Sequence, residues 1–340
     1  MIFYLIGIDY KTVKFEKREE AGLLKKIFTQ FLSSNGFCDA RLLSTCNRFE
    51  VYDFAKNRNE AFYRLDILKK NFNYFFGNSY NFFGEKEVFK HLLNVACGLE
   101  SQLKAEEQIL GQLISFSNQK DFPDSLKEIV GEAISAARLI RAKLELDKKI
   151  YNIADLVLED IAVKTTKTDG LKVIVVGTGK IAELFASNRR EGVQFYFLAH
   201  KNYIKANELA RRAGGLAVSL AKINEVILDA DILISATSSP HYILRADFFK
   251  KVMAKRKKSL YVYDLAIPRD IDCEVSSIDG IILKNMNDLT PLFEKHNQRI
   301  RKELLILEAL VQAEAEKYEV FYETNAQDWY KAKQLSASAS

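Results

Sequence analysis

The chain has 340 residues, 48% of them hydrophobic and 28% charged, a balance that predicts a folded protein of two or three domains and excludes a disordered or fibrous one. Its four cysteines lie far apart and form no CxxC pair, which argues against a disulfide framework and against a cysteine-rich zinc site, and no metal ligands are predicted. No apolar run is long enough to span a membrane and the net charge of +5 is mild, so we expect a cytoplasmic protein for which a nucleic-acid partner is allowed but not required.

The N-terminal part predicts a small α+β domain. Apolar residues from Ile2 to Ile8 are typical of a buried strand, and apolar residues at helical spacing follow from about Arg18 to Leu32. Two more strands are predicted at Arg41–Ser44 and Phe49–Phe54. These two strands flank a short polar loop, which a rigid sheet can present to a ligand.

That loop, Thr45-Cys46-Asn47-Arg48, is the first candidate site. A thiol is a strong nucleophile only as its thiolate, and a neighbouring cation such as Arg48 lowers the pKa of a thiol such as Cys46. Arg48 also offers a planar set of donors that matches a carboxylate, while Thr45 and Asn47 can orient a ligand by hydrogen bonding. The loop therefore predicts a reactive cysteine beside a carboxylate-binding arginine. The alternative is a buried structural cysteine beside a surface arginine.

A helix-rich segment from about Glu60 to Asp147 contains the second candidate site. It combines a histidine, which can transfer protons near neutral pH, with hydroxyl, carboxylate and carboxamide groups that can bind a polar ligand. The residues are His91, Ser101, Glu106, Glu107, Gln108 and Gln112. The alternative interpretation is a structural histidine and a solvated surface.

A connecting helix is predicted from about Lys149 to Lys164, and a nucleotide-binding pattern follows it. The strand Leu171–Val176 leads directly into a glycine turn and a helix, which is the context that dinucleotide binding requires. Gly177 permits the tight turn, and Gly179 lets the backbone approach a pyrophosphate group. The residues of this candidate cofactor site are Gly177, Thr178, Gly179, Lys180, Ile181 and Ala182.

Further strands continue the predicted Rossmann-type sheet. The strand Phe195–Leu198 ends in a basic loop where NAD-binding folds usually place an acid, so Lys201 favours a 2′-phosphate and hence NADPH over NADH. A strand that begins at Asp231 ends near Thr237, which we assign to the cofactor crevice. Another strand begins at Tyr261, and we interpret Asp270 after it as a turn or cap residue.

From Asp288 to about Tyr322 the sequence predicts one long helix with an apolar stripe. Its length suits a spine that packs against both preceding domains or against another subunit. The predicted fold class is α/β multidomain, with an N-terminal α+β catalytic domain, a Rossmann-type NADP-binding domain and a long C-terminal spinal helix. The predicted domain boundaries are 1–147, 148–287 and 288–340.

Several of these motifs resemble one known family. Ser44–Arg48 is similar to the active-site signature of glutamyl-tRNA reductases, and His91 with the block Gly98–Gln112 is similar to the second signature of that family. The resemblance implies NADPH-dependent reduction of glutamyl-tRNA(Glu) to glutamate-1-semialdehyde, the first step of the five-carbon route to tetrapyrroles and porphyrins. It also implies a thioester on Cys46 and a substrate carboxylate held by Arg48. A histidine such as His91 can protonate either the leaving ribose oxygen or a developing alkoxide.

The resemblance implies partners as well. Glutamyl-tRNA(Glu) would bind as substrate, and the basic run Arg138–Lys143 either contacts its phosphates or is a solvated helix face. A glutamate-1-semialdehyde aminomutase is a candidate to receive the product. The family continues beyond the spine into a dimerisation domain, whereas this chain stops after Trp329 and a Ser-Ala tail, so a homodimer is less secure than the resemblance suggests.

The chain departs from the family pattern at a few positions. Tyr10 stands where the family has histidine, Lys104-Ala105 replaces an apolar residue and glycine, and Glu107 replaces proline. We expect the last two changes to alter the loop that cups the substrate. Two other functions stay open: an ordinary NADP-dependent dehydrogenase in which Cys46 is structural, and a non-catalytic relative that binds tRNA or NADPH as a regulator.

Overall fold

A computed structural model describes residues 2–146, 150–164, 170–188 and 190–337, with side chains up to residue 320. The chain divides into two compact units: the first comprises Met1–Arg18, Lys25–Ile150 and Asn297–Ser340, and the second comprises Glu19–Leu24 and Tyr151–His296. The predicted mixed α/β fold is confirmed, with an antiparallel sheet in the first unit and a parallel sheet in the second. Within the described ranges, no helix combines the length and the apolar content that crossing a membrane requires.

The sheet of the first unit contains four antiparallel strands. They are β1 (Ile2–Asp9), β2 (Arg41–Ser44), β3 (Arg48–Ala55) and β4 (Tyr80–Phe83), in the order β2-β3-β1-β4. The predicted first strand and the two strands beside the cysteine loop are confirmed. The sequence pattern does not predict β4, because a half-buried edge strand of four residues is too short to show an alternation.

Several helices lie between residues 15 and 144, and those that belong to the first unit pack on this sheet or on one another. They are α1 (Phe15–Leu23), α2 (Lys25–Ser34), α3 (Arg58–Asn71), α4 (Asn73–Phe76), α5 (Glu85–Ala96), α6 (Gln108–Ser117) and α7 (Asp124–Leu144). The single helix predicted from Arg18 to Leu32 is wrong, because a turn at Leu24 separates α1 from α2. Leu23 and Ile27 are 47% and 57% exposed, so the apolar stripe is not continuous across that turn.

The second unit contains a parallel sheet of six strands. They are β5 (Leu171–Val176), β6 (Val193–Ala199), β7 (Leu216–Ser219), β8 (Ile232–Ser235), β9 (Leu260–Asp264) and β10 (Ile281–Asn285). Their order is β10-β9-β8-β5-β6-β7, the doubly wound arrangement in which the connection reverses direction beside β5. The predicted strands β5, β6, β8 and β9 are confirmed, whereas β7 and β10 are short edge strands that the pattern does not predict.

Helices connect the strands of the parallel sheet. They are α8 (Ile153–Lys164), α9 (Lys180–Ser187), α10 (Tyr203–Ala213), α11 (Ile223–Val226) and α12 (Ala246–Met253). The predicted connecting helix is α8, although its predicted start at Lys149 lies outside the described residues. The carboxyl ends of β5, β6 and β8 lie along one edge of the sheet, where a doubly wound fold binds its ligand.

The C-terminal part forms two helices rather than the one predicted. They are α13 (Thr290–Arg299) and α14 (Arg301–Ala337), and they are separated at Ile300. Leu307 and Val311 of α14 are buried in the core of the first unit, where α14 packs on α5 and α7. The Phe89 and Tyr318 rings stack with centroids 3.7 Å apart. The role of this helix as a spine stays a prediction.

Candidate active site

The Cys46 loop closes a β-hairpin between β2 and β3. The peptide N–H of Thr45 donates to the carbonyl of Arg48 at 2.9 Å, so Cys46 and Asn47 form a two-residue tip. The Thr45 hydroxyl accepts from the peptide N–H groups of Asn47 at 3.1 Å and Arg48 at 3.2 Å, which stabilises the tight turn. Cys46 is half-buried, so the residue that carries the candidate nucleophile keeps access to solvent.

A buried carboxylate lies behind this loop, on the same face of β3 as Arg48. Glu50 is fully buried and accepts hydrogen bonds from Nη1 of Arg48 at 3.1 Å, from the Tyr52 hydroxyl at 2.7 Å and from the Tyr80 hydroxyl. Nε2 of His91 lies 2.8 Å from the same carboxylate. Burial raises the pKa of Glu50, but Arg48, His91 and Tyr80 together hold it well below its usual range. Glu50 is not among the predicted site residues, although a charged residue inside an apolar strand is a usable signal.

This network engages two residues that were predicted to act on substrate. Arg48 is 1% exposed, and its second terminal nitrogen donates to the carbonyl of Glu100. A substrate carboxylate would therefore have to displace Glu50 or the Glu100 carbonyl to reach it. His91 is 8% exposed and bonded to Glu50. Arg48 forms an ion pair with the Glu50 carboxylate, and His91 lies within hydrogen-bond distance of it. The substrate roles of Arg48 and His91 therefore stay predictions.

The pKa of the Cys46 thiol is raised to about 12, whereas the sequence predicts a lowered value. Burial is the largest cause and the Glu106 carboxylate is the next, while Arg18 and Arg48 act in the opposite direction. Arg48 therefore has the predicted effect, but desolvation outweighs it, and its charge is shared with Glu50. The resting thiol is protonated at neutral pH.

The segment from Gly98 to Glu107 brings further predicted residues to the hairpin. The side-chain amide of Asn47 donates to Oε1 of Glu106 at 3.3 Å, and Ser101, which is fully buried, lies beside the same carboxylate. Burial raises the pKa of Glu106, with Ser101 acting against it. The structure thus joins Asn47, Ser101 and Glu106 in one polar cluster next to Cys46.

The other predicted residues of this block lie at the start of α6. Gln108 and Gln112 are half-buried and one helical turn apart, and neither carboxamide has a hydrogen-bond partner among the residues that the structure describes. Both are available to a ligand. Glu107 is exposed and has φ −78°, a value that proline also adopts, so this replacement requires no change of backbone path.

Ala105 adopts a backbone conformation that favours glycine. Its φ is 59°, and a Cβ on Gly98 would lie 2.9 Å from the Cα of Ala105. The guanidinium of Arg141 holds this turn by donating to the carbonyls of Ala105 at 3.0 Å and Glu106 at 3.3 Å. Arg141 is 2% exposed, so both interpretations of the run Arg138–Lys143, a solvated face and a phosphate contact, are wrong for this residue.

Two of the positions that depart from the family pattern contact each other. Nζ of Lys104 donates to the Tyr10 hydroxyl at 3.2 Å and to the carbonyl of Leu99. The peptide N–H of Tyr10 donates to the carbonyl of Asn47 at 3.1 Å. Lys104 and Tyr10 therefore form one pair, which connects the Gly98–Glu107 segment to the Cys46 hairpin. Burial is the main reason that the pKa of Lys104 is lowered.

In the second unit, the predicted glycine turn joins β5 to α9. Gly177 has φ 114°, and a Cβ there would lie 2.5 Å from the carbonyl oxygen of Ala236, so only glycine fits. A Cβ on Gly179 would meet nothing within 4 Å, which leaves open space in front of the first turn of α9. Ala182 is fully buried, as close helix packing requires. These features fit the pyrophosphate of a dinucleotide.

The remaining predicted cofactor residues differ in their surroundings. Thr178 and Ile181 are half-buried, and the exposed ammonium of Lys180 pairs with Glu183 at 3.2 Å. Lys201 is exposed in the turn that follows β6. Its position suits a group on the ribose of a bound nucleotide.

Thr237 follows β8 and is held by a buried acid. Asp270 is fully buried and accepts from the Thr237 hydroxyl at 2.6 Å, the Thr237 peptide N–H at 2.9 Å and the Ser235 hydroxyl at 2.8 Å. Asp270 is therefore an internal anchor of the loop after β8, a larger role than the turn or cap that the sequence suggested. The cofactor contact of Thr237 stays a prediction.

Comparisons with known proteins find relatives for both halves of the chain. A family model described as the N-terminal domain of glutamyl-tRNA(Glu) reductase matches residues 6–144, and one described as shikimate/quinate 5-dehydrogenase matches residues 159–292. A glutamyl-tRNA reductase of Archaeoglobus fulgidus is 31% identical over 92% of this chain and 71% of its own length. One of Methanococcoides burtonii is 30% identical over 94% of this chain and 77% of its own length. The solved structure of glutamyl-tRNA reductase from Methanopyrus kandleri has 25% identity, covers 95% of this chain and 80% of that one, and superposes with a TM-score of 0.48.

Proposed function

Because the chain belongs to the glutamyl-tRNA reductase family and is an oxidoreductase, we propose that it reduces glutamyl-tRNA(Glu) to glutamate-1-semialdehyde with NADPH. The matches over both units support a nucleotide cofactor, and the polar cluster beside Cys46 supports chemistry at that residue. In this proposal, the product enters tetrapyrrole synthesis.

The Cys46 thiolate attacks the ester carbonyl of glutamyl-tRNA in the first step. A thioester forms on the sulfur, and the ribose oxygen of the tRNA leaves with a proton, for which His91 is the proposed donor. NADPH, when bound, supplies a hydride to the thioester carbon. The resulting thiohemiacetal gains a proton and releases the aldehyde, which returns Cys46 to its starting state. The covalent route is suited to this reaction because a thioester accepts hydride more readily than an oxygen ester does.

One observation carries this proposal: the cysteine at the tip of the β2–β3 hairpin is half-buried and lies within a cluster of groups that can hold an amino acid. Asn47 and Glu106 contact each other at this tip, and Arg18 donates to the carbonyl of Cys46 at 3.0 Å. The free carboxamides of Gln108 and Gln112 lie at the start of the neighbouring helix. A glutamyl group has an ammonium and a carboxylate, which such a set of donors and acceptors can bind.

The test is a search for the acylated protein. The purified protein is mixed with glutamyl-tRNA(Glu) without NADPH, and intact-mass and peptide measurements look for a glutamyl adduct on Cys46. We expect one adduct per chain, which NADPH then discharges as aldehyde. Absence of the adduct, in a preparation that nevertheless reduces glutamyl-tRNA, would contradict the thioester route.

NADPH is the proposed form of the cofactor. The turn from Gly177 to Ala182 would hold the pyrophosphate at the start of α9, and Lys201 would face a 2′-phosphate on the ribose. The proposed domain roles follow the predicted boundaries, with substrate chemistry in residues 1–147 and NADPH binding in residues 148–287. An aminomutase partner, a spine from residue 288 and a homodimer stay predictions.

Substitutions at two nearby glycines distinguish a residue that the fold requires from a residue that NADPH binding requires. Gly177→Ala places a Cβ against the Ala236 carbonyl at a positive φ, so it should lower the free energy of unfolding by about 2–4 kcal/mol. Gly179→Ala meets no atom within 4 Å, so it should leave thermal unfolding unchanged and weaken NADPH binding by about tenfold or more. Thermal unfolding and fluorescence titration with NADPH measure the two effects. If Gly179→Ala binds NADPH with wild-type affinity, the proposal that the pyrophosphate binds at this turn is wrong.

A further inference from the structure

Arg18 is a buried cation that touches the backbone of the candidate nucleophile. It lies on α1, is 5% exposed, and donates through Nη1 to the carbonyl of Cys46 at 3.0 Å. Its guanidinium carbon also lies 5.7 Å from the centroid of the Phe15 ring. The sequence motifs do not single out this residue, because it precedes the cysteine loop by 28 positions.

No ion pair neutralises Arg18 in the part of the chain that the structure describes. Its Nε is buried without a hydrogen-bond partner, and its guanidinium makes no ion pair within the described ranges of the chain. Asp9 at the end of β1 and Glu16 on α1 itself favour its charge electrostatically, but neither forms an ion pair with it within the described ranges. Removing a guanidinium from water without an ion-pair partner is costly, so a buried arginine of this kind is well suited to pair with an anion that forms beside it.

Arg48 differs from Arg18 in this respect. Glu50 neutralises Arg48 at 3.1 Å, and the Glu100 carbonyl takes its other terminal nitrogen. Of the charged groups that face Cys46, Glu106 disfavours a thiolate, Arg18 favours it, and Arg48 favours it less than Arg18 does. The guanidinium that is free to respond to a negative sulfur is therefore the one on α1.

We propose that Arg18 is the cation that pairs with the Cys46 thiolate and so makes the cysteine nucleophilic. This inference deepens the proposed function and rests on it for its catalytic meaning. When the thiol ionises, its proton passes to a base in solvent, and Arg18 keeps its own protons. The site gains one negative charge, which the unpaired guanidinium offsets. The carbonyl contact at Cys46 fixes the guanidinium beside the tip of the hairpin.

The test measures the reactivity of Cys46 without any substrate. In a background that lacks the exposed cysteines Cys38 and Cys273, the rate of alkylation by iodoacetamide is followed at Cys46 by peptide mass from about pH 7 to 10. This range lies below the raised pKa of Cys46, so the rate is proportional to the small thiolate fraction at each pH. Arg18→Gln removes the charge and keeps a donor for the Cys46 carbonyl, whereas Arg18→Lys keeps the charge. Lys14→Met is the matched control, because it removes an exposed cation one turn earlier.

We expect Arg18→Gln to slow alkylation by about tenfold or more at each pH and to move the ionisation of Cys46 to higher pH, because a lost neighbouring cation shifts a pKa by about one unit or more. Arg18→Lys should recover most of the rate, and Lys14→Met should match wild type. Circular dichroism and thermal unfolding check the fold, and Arg18→Met supplies a second neutral variant if Arg18→Gln does not fold. Equal rates in the neutral variant and wild type would overturn the proposal, as would a lysine variant as slow as the glutamine variant.

This experiment and the adduct experiment can fail separately. Alkylation needs no tRNA and no NADPH, so a charge effect of Arg18 on Cys46 can be present even if no glutamyl adduct forms. That combination would retain the ion pair and reject the proposed function. An adduct on Cys46 together with unchanged alkylation in Arg18→Gln would retain the function and reject the role of Arg18.

Discussion

Cys46→Ser is expected to reduce the rate of glutamyl-tRNA reduction by about a thousandfold or more, because a serine hydroxyl is a far weaker nucleophile than a thiolate at the same position. An ester formed on serine would also accept hydride less readily than a thioester. The half-buried site and the close match in size between the two side chains should leave the fold intact. Single-turnover formation of glutamate-1-semialdehyde measures the loss, and thermal unfolding checks the fold.

Cys38→Ser is the matched control for this substitution. Cys38 is exposed and makes no contact with the polar cluster, so its replacement should leave the rate at the wild-type value. Substantial activity in Cys46→Ser would favour the alternative in which the enzyme is an ordinary NADP-dependent dehydrogenase with a structural cysteine. Loss of activity in both variants would point to a general effect on the protein rather than to chemistry at Cys46.

Glu50→Gln is expected to lower the free energy of unfolding by about 3–5 kcal/mol, because it leaves the guanidinium of Arg48 buried without its counter-ion. The amide nearly matches the carboxylate in shape, so the loss of stability measures the effect of removing the charge and not the effect of a cavity. Tyr52, Tyr80 and His91 would also lose an ionised acceptor. Urea unfolding measures the effect. Asp66→Asn removes an exposed ion pair with Lys70 and should leave the urea midpoint unchanged.

The stabilities of wild type and Glu50→Gln can also be compared as a function of pH. The pKa of Glu50 is lower in the folded protein than its value of about 4.3 in an unfolded chain. Its carboxylate therefore stabilises the fold fully above about pH 4.3, and this contribution is lost as the pH falls further. The difference in stability between wild type and Glu50→Gln should be constant near neutral pH and should shrink below about pH 4. A difference that persists undiminished in acid would show that the stabilisation does not depend on the negative charge of Glu50.

Features that depend on a few consecutive residues could be predicted from the sequence. The hairpin follows from two apolar runs around a polar loop, and Thr45 supplies the side chain that closes the turn. The turn at Gly177 follows in the same way, because a buried strand leads directly into glycine. In both places the residues that determine the backbone conformation lie within about a dozen positions of one another. Tertiary contacts therefore do not change the predicted turn.

The burial of Arg141 could not be predicted, because it depends on partners from a distant segment. Arg141 is 2% exposed and Leu139 is 73% exposed, the reverse of what their polarity indicates. The reason is that the turn around Ala105 has carbonyl groups that require a donor, and α7 supplies one from 36 positions away. The raised pKa of Cys46 has the same origin, since the sequence shows its cationic neighbour but not its desolvation.

Helix interruptions were missed for a different reason. A one-residue break such as the one at Ile300 does not change the helical spacing of the apolar residues. The sequence therefore predicts one helix where the structure has α13 and α14. The hydrogen bond from the peptide N–H of Leu304 to the Ile300 carbonyl, at 2.9 Å, starts the second helix immediately.

The contact between Tyr10 and Lys104 has an evolutionary consequence. Lys104 donates to the Tyr10 hydroxyl at 3.2 Å and also to the Leu99 carbonyl. A reversion at Tyr10 toward the family pattern would therefore change one of two contacts of the ammonium group, and a reversion at Lys104 would remove the donor to the phenol. The fitness of a residue at one position then depends on the residue at the other, which is epistasis in its simplest form. Descendants of a common ancestor should therefore have exchanged these two residues together, and chimeras that mix them should perform worse than either parent.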